Sequence, residues 1–116
     1  MEKKFYRDLP EVVQSILITS EGWLVGNSVE NLIKGEKVND FDIIVPSREL
    51  FQVVVKQLHC KNNFFGLNSY GGIKVILQDI YIDIWCEELS HFLMSANSVN
   101  YVYNHKKQRL LKNEGI

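Results

Sequence analysis

The chain has 116 residues, 46% of them hydrophobic, with 13 Lys and Arg against 14 Asp and Glu and a formal charge of −1. A chain of this size buries roughly two thirds of its unfolded surface, which supports one core and a single domain over residues 1–116. The balanced charge argues against a general nucleic-acid coat protein, which needs a concentrated basic surface.

No run of about eighteen apolar residues and no leader-like N-terminus occurs, so neither a membrane span nor a signal peptide is expected. Cys60 and Cys86 have neither metal-ligand nor redox spacing and read as buried thiols of a cytoplasmic protein. Charge is unevenly placed. Four of the 13 basic groups and one of the 14 acidic groups fall in residues 105–116, which leaves a net of −4 for residues 1–104. The sequence therefore reads as an acidic body with a basic C-terminal tail.

Asp8 before Leu-Pro-Glu reads as a helix N-cap with Pro10 in the first turn, and Val12, Val13, Ile16 and Leu17 mark one helical face. A short strand follows at Trp23, Leu24 and Val25. After Gly26-Asn27-Ser28 the spacing of Val29, Leu32 and Ile33 turns helical, and Gly35 ends that helix. Asp40 to Val45 reads as a buried strand stopped by Pro46. Ser47 with Glu49 and Leu50 opens a third helix, whose apolar positions run through Leu58.

Strands are then expected near Phe64 and Phe65, over Ile73 to Leu77 and over Ile80 to Trp85, with Gln78-Asp79 as a hairpin turn. A short helix is expected at Glu87 to Met94 and a last strand at Val99 to Val102. Alternating elements followed by hairpins give an α/β or α+β class with a mixed sheet flanked by helices.

The chemistry-bearing residues form a pattern. Small residues where a helix begins leave backbone N–H groups without helical partners, and such groups suit a phosphate. Asp40 and Asp42 are two apart on a strand, so their carboxylates share a face while Phe41 and Ile43 take the other. Asp83 lies among apolar strand residues, where aspartate is uncommon without a task. Three of the chain's five aspartates occupy strands in this way. Like charges so close repel unless a cation lies between them, and Mg²⁺ bridging carboxylates to substrate phosphates is the economical solution.

Val25-Gly-Asn-Ser-Val-Glu-Asn-Leu-Ile-Lys-Gly, Asn39-Asp-Phe-Asp-Ile-Ile-Val and Ile82-Asp-Ile-Trp together resemble the signature of the nucleotidyltransferase superfamily. The resemblance is to the head domain of tRNA nucleotidyltransferases and bacterial poly(A) polymerases, and it spans Trp23 to Trp85. It implies a nucleotidyltransferase-like fold in which Asp40, Asp42 and Asp83 are catalytic and hold two Mg²⁺ ions. It also implies that Gly26, with the backbone of Asn27 and Ser28, cradles a nucleoside triphosphate such as ATP. The implied reaction transfers a nucleoside monophosphate to a hydroxyl acceptor, which the sequence leaves open between an RNA end, a protein and a small molecule.

Two stretches depart from the family pattern. Asn27 replaces the second glycine of its turn, and Glu30-Asn31 stand where the tRNA-modifying members carry Arg-Asp. The length leaves no room for their base-selecting domains, so a minimal single-domain transferase is expected. The alternative is a catalytically inactive relative that binds a protein or nucleic-acid partner; a homo-oligomer is open in either case.

Asp79 competes with Asp83 for the third acid, although a turn suits it better. Lys74 is placed to reach a phosphate, although a solvent-facing hairpin position suits it better, and Ser69 and Tyr70 read in the same way. Trp85 reads as core rather than as a base-stacking residue. His59, His91 and His105 have no metal-ligand spacing.

Overall fold

The apolar positions Val13, Ile16 and Leu17 recur at helical spacing and bury one side of helix α1, Glu11–Ser20. The computed structural model that shows this describes residues 8–60, 64–77, 79–95 and 101–112. Chain order continues with β1 (Trp23–Val25), α2 (Asn27–Ile33), β2 (Asp40–Val45), α3 (Arg48–Cys60), β3 (Phe64–Leu67) and β4 (Ile73–Leu77). It ends with β5 (Ile80–Cys86), α4 (Leu89–Ser95), β6 (Tyr101–Asn104) and β7 (Arg109–Lys112). No helix among the described residues is long and apolar enough to cross a membrane.

The protein is mixed α/β, and among the described residues one sheet has seven strands in the order β3-β4-β5-β2-β1-β6-β7. β2 and β5 run parallel, and the other neighbours are antiparallel. Side chains alternate between the two faces of each strand. Leu24, Phe41, Ile43, Val45, Ile82, Ile84 and Tyr103 point to the face covered by α1, α2 and α3 and form the main core with Val13, Val29 and Val54. Val25, Ile44, Trp85 and Val102 point the other way and form a smaller core under Leu89, Phe92 and Leu93 of α4. Only part of this second face is apolar. Further along the same strands it carries Asp40, Asp42, Lys74 and Asp83.

Local signals set most boundaries. The Ser47 hydroxyl accepts the Leu50 N–H at 3.2 Å and caps α3. Gly35, at φ 78°, follows the end of α2. Leu77 pairs with Ile80, which puts Asp79 in a tight hairpin turn as expected; Gln78 lies outside the described residues.

Three expectations need correction. Asp8 is not the cap of α1: Pro10 occupies that position, and its carbonyl accepts the Gln14 N–H at 3.0 Å. The fourth helix begins at Leu89 rather than Glu87, because the Glu87 N–H donates to the Val45 carbonyl at 3.0 Å and prolongs the sheet. The last expected strand runs from Tyr101 to Asn104, while Val99 and Asn100 lie outside the described residues.

Part of the basic tail is strand. Arg109–Lys112 pairs with β6, Leu110 packs against the main core and Leu111 against the smaller one. Lys106, in the turn of this hairpin, meets Glu21 at 2.9 Å.

Candidate functional site

The parallel pairing of β2 with β5 places Asp42 directly opposite Asp83. Asp40 stands two residues earlier on β2, on the same face, opposite Tyr81. All three sequence-predicted acids thus lie on two adjacent strands and face the same side. On the other flank of β2, Asp42 pairs with Val25, the last residue of β1. The chain leaves β1 through Gly26 at φ 84°, ψ −168°, a conformation essentially confined to glycine. A Cβ at Gly26 would lie 2.9 Å from Asp42 Oδ2, so the missing side chain is what lets the turn lie against the carboxylate.

Beyond this turn a cleft of about 290 Å³ is lined by Asn27, Ser28, Asn31, Lys37, Val38, Asn39, Asp40 and Asp42. Two of the three predicted turn residues, Asn27 and Ser28, and two of the acids therefore share one polar cleft. The Ser28 hydroxyl is buried and donates to the Val25 carbonyl at 3.3 Å, so it serves the turn itself. Glu30 is one turn into α2 and pairs with Lys34 at 3.9 Å.

Burial raises the Asp42 carboxyl to a pKa of about 6, with the charges of Asp83 and Asp40 adding to the shift and Lys74 opposing it. Asp42 is thus an anion held against repulsion and desolvation, a state that an added cation would relieve. Asp83 is better provided for. Lys74, opposite it on β4, approaches at 3.5 Å, and Asn68 Nδ2 donates to it at 3.2 Å. Lys74 is therefore not simply a solvent-facing hairpin lysine, because it reaches into the acidic row.

Among the described residues no group of three or more His, Cys, Asp or Glu side chains is arranged to hold a metal ion. The acids form a row rather than a closed cage. A row suits Mg²⁺, which is usually bound by one or two carboxylates with water and substrate phosphates completing its shell. The hard oxygen donors and the desolvated carboxyl of Asp42, repelled by Asp83 and Asp40, are consistent with that ion.

Sequence reasoning passed over Asn68. Its amide Nδ2 also donates to the Ile73 carbonyl at 2.9 Å, and its Oδ1 accepts the N–H groups of Tyr70 and Gly72 at 3.0 and 2.8 Å. Asn68 thus folds the β3–β4 loop and ties it to Asp83. Asparagine before Ser-Tyr-Gly-Gly is a turn signal, but nothing local reveals its distant partner. Gly72 packs so tightly on β5 that a Cβ there would collide with the Ile84 carbonyl.

The loop lays Tyr70 on Trp85, with ring centroids 4.4 Å apart and planes 22° apart. Trp85 is buried, as expected; Phe92 lies against it, and its Nε1–H donates to Glu87 at 2.8 Å. His91 pairs with the same Glu87 at 2.6 Å. His105 is buried beside the Tyr103 hydroxyl, and burial lowers its pKa. His59 is on α3, away from the acids in sequence and element. Cys86 is a half-buried free thiol, whereas nothing is described of the Cys60 side chain.

Fold and site together define a mixed-sheet α/β protein with a row of carboxylates on one open sheet face. No family model, curated protein or solved structure matched the chain in comparisons with known proteins.

Proposed function

We propose that the chain is a minimal nucleotidyltransferase, with the fold of that superfamily, that transfers a nucleoside monophosphate from a nucleoside triphosphate to a hydroxyl acceptor. The observation that carries this reading is the register of β2 and β5, which sets Asp42 opposite Asp83 with Asp40 on the same face. The Gly26 turn supports it by closing on Asp42 from the side where a triphosphate would lie.

Asp40, Asp42 and Asp83 would hold Mg²⁺, which when bound supplies charge neutralisation for the triphosphate and a lowered pKa for the attacking hydroxyl. The turn at Gly26 and Asn27 orients the phosphates. The acceptor oxygen bonds to the α-phosphorus while the bond from that phosphorus to the bridging oxygen breaks. Pyrophosphate leaves with the bonding electrons, and the hydroxyl proton passes to Asp83. We place the protein in the cytoplasm, where Cys86 remains a reduced thiol.

The test is thermal unfolding with a nucleoside triphosphate, with and without Mg²⁺. Stabilisation is expected only when both are present, and Asp42→Ala should abolish it; no shift in the wild-type protein ends this reading.

A second reading is an inactive relative that holds a protein or nucleic-acid partner. The ion pair of Lys74 with Asp83 favours it, because an ammonium group already compensates the third acid. Transfer of label from a nucleotide to an acceptor, lost in Asp42→Ala, would exclude it.

A further inference from the structure

The stacked pair Tyr70–Trp85 lies on the carboxylate face and has no part in the chemistry described above. We propose that the outer face of Tyr70 is a platform for the 3′-terminal base of an RNA acceptor, an assignment that rests on the nucleotidyltransferase reading.

Position is the first argument. Trp85 follows Asp83 by two residues on the same face of β5, a rise of about 6.6 Å along the strand. Asp40 and the polar cleft lie the opposite way, since Asp40 is in register with Tyr81 while Trp85 is in register with Ile44. The Gly26 turn borders Asp42 from β1, whereas the β3–β4 loop, which carries Tyr70, reaches Asp83 through Asn68. The carboxylates therefore separate a polar cleft suited to a triphosphate from an aromatic shelf.

Construction is the second argument. Tyr70 is 58% exposed although one face of its ring rests on Trp85, so its outer face is open. An exposed loop aromatic ordinarily moves freely, but here Asn68 fixes the Tyr70 N–H and bonds Asp83 with the same side chain. Gly71, at φ 79°, and the close-packed Gly72 return the loop to β4. Platform and third acid are thus held by one residue. A flat, ordered ring with an open face accepts any base, and Lys74 beside Asp83 offers a cation to the phosphate that precedes it.

The experiment measures binding of fluorescein-labelled tri-adenylate RNA, and of the same RNA lacking its 3′-terminal base, to the full chain without nucleotide. The wild-type protein should bind the abasic RNA about tenfold more weakly, the loss of one base stack. Tyr70→Ala should bind both RNAs at that weaker level and Tyr70→Phe should restore the difference. Stabilisation by triphosphate and Mg²⁺ should be unchanged in Tyr70→Ala. Equal binding of the two RNAs by the wild-type protein, or no binding, overturns the platform whether or not the variant folds. It leaves the transferase reading to its own thermal test. A tenfold loss of triphosphate affinity in Tyr70→Ala assigns the ring to the donor base and overturns the acceptor assignment. Base-dependent RNA binding without any triphosphate shift removes the transferase reading and overturns the acceptor assignment with it, leaving Tyr70 as an RNA-stacking ring.

Discussion

Gly26 and Asp42 are in such close apposition that a single added carbon on the glycine would stand 2.9 Å from the carboxylate oxygen. Gly26→Ala should therefore cost about 1–3 kcal/mol, since alanine must adopt a backbone conformation reserved for glycine. The added methyl also pushes Asp42 aside. Urea unfolding measures the stability loss, and the stabilisation by triphosphate and Mg²⁺ should vanish even at temperatures where the variant remains folded.

The raised pKa of Asp42 makes a statement about stability. Its carboxyl titrates near 3.8 when unfolded and at about 6 when folded, so the folded state binds the proton more tightly. Stability is then lost as pH rises from about 3.8 through about 6, and above that the ionised group destabilises the fold. Asp42→Asn should stabilise the protein at pH 8 by about 1–2 kcal/mol, after discounting for the partial exposure of the group. The gain should disappear near pH 3.5. Urea unfolding of both proteins across this range checks the sign as well as the size.

Lys74 opposes the rise at Asp42 and pairs with Asp83. In Lys74→Gln the acidic row loses its neighbouring cation, so the Asp42 carboxyl should titrate above the wild-type midpoint of about 6. Carboxyl-detected NMR titration reads this directly. A midpoint that stays or falls would show that Lys74 exerts no field on the row.

Much of the local structure was legible because each signal sits within one turn or one strand. Ser47 caps the helix it precedes, and the alternation in Asp-Phe-Asp-Ile-Ile-Val separates acids from core residues without reference to the rest of the chain. The register that sets Asp42 opposite Asp83 is different in kind. It joins segments 41 residues apart through backbone hydrogen bonds, which carry no side-chain signature. Asn68 was missed for a related reason: its turn-forming habit is local, while the carboxylate it holds lies on another strand. Asp8 misled because its residue type suits a cap, but Pro10 is already in the extended conformation that a cap position requires. The basic segment concealed β7, because its charges drew attention from the adjacent Leu110 and Leu111.

The placement of β1 between β2 and β6 also dictates an order of assembly. Trp23 finds one neighbour, Ile44, early in the chain and the other, Asn104, very late. On the ribosome, β1 and β2 can pair long before β6 emerges, and until then one edge of β1 offers unpaired backbone groups to any passing strand. A nascent or truncated copy that lacks β6 therefore exposes the backbone of Trp23–Val25, which lies in the middle of the finished sheet.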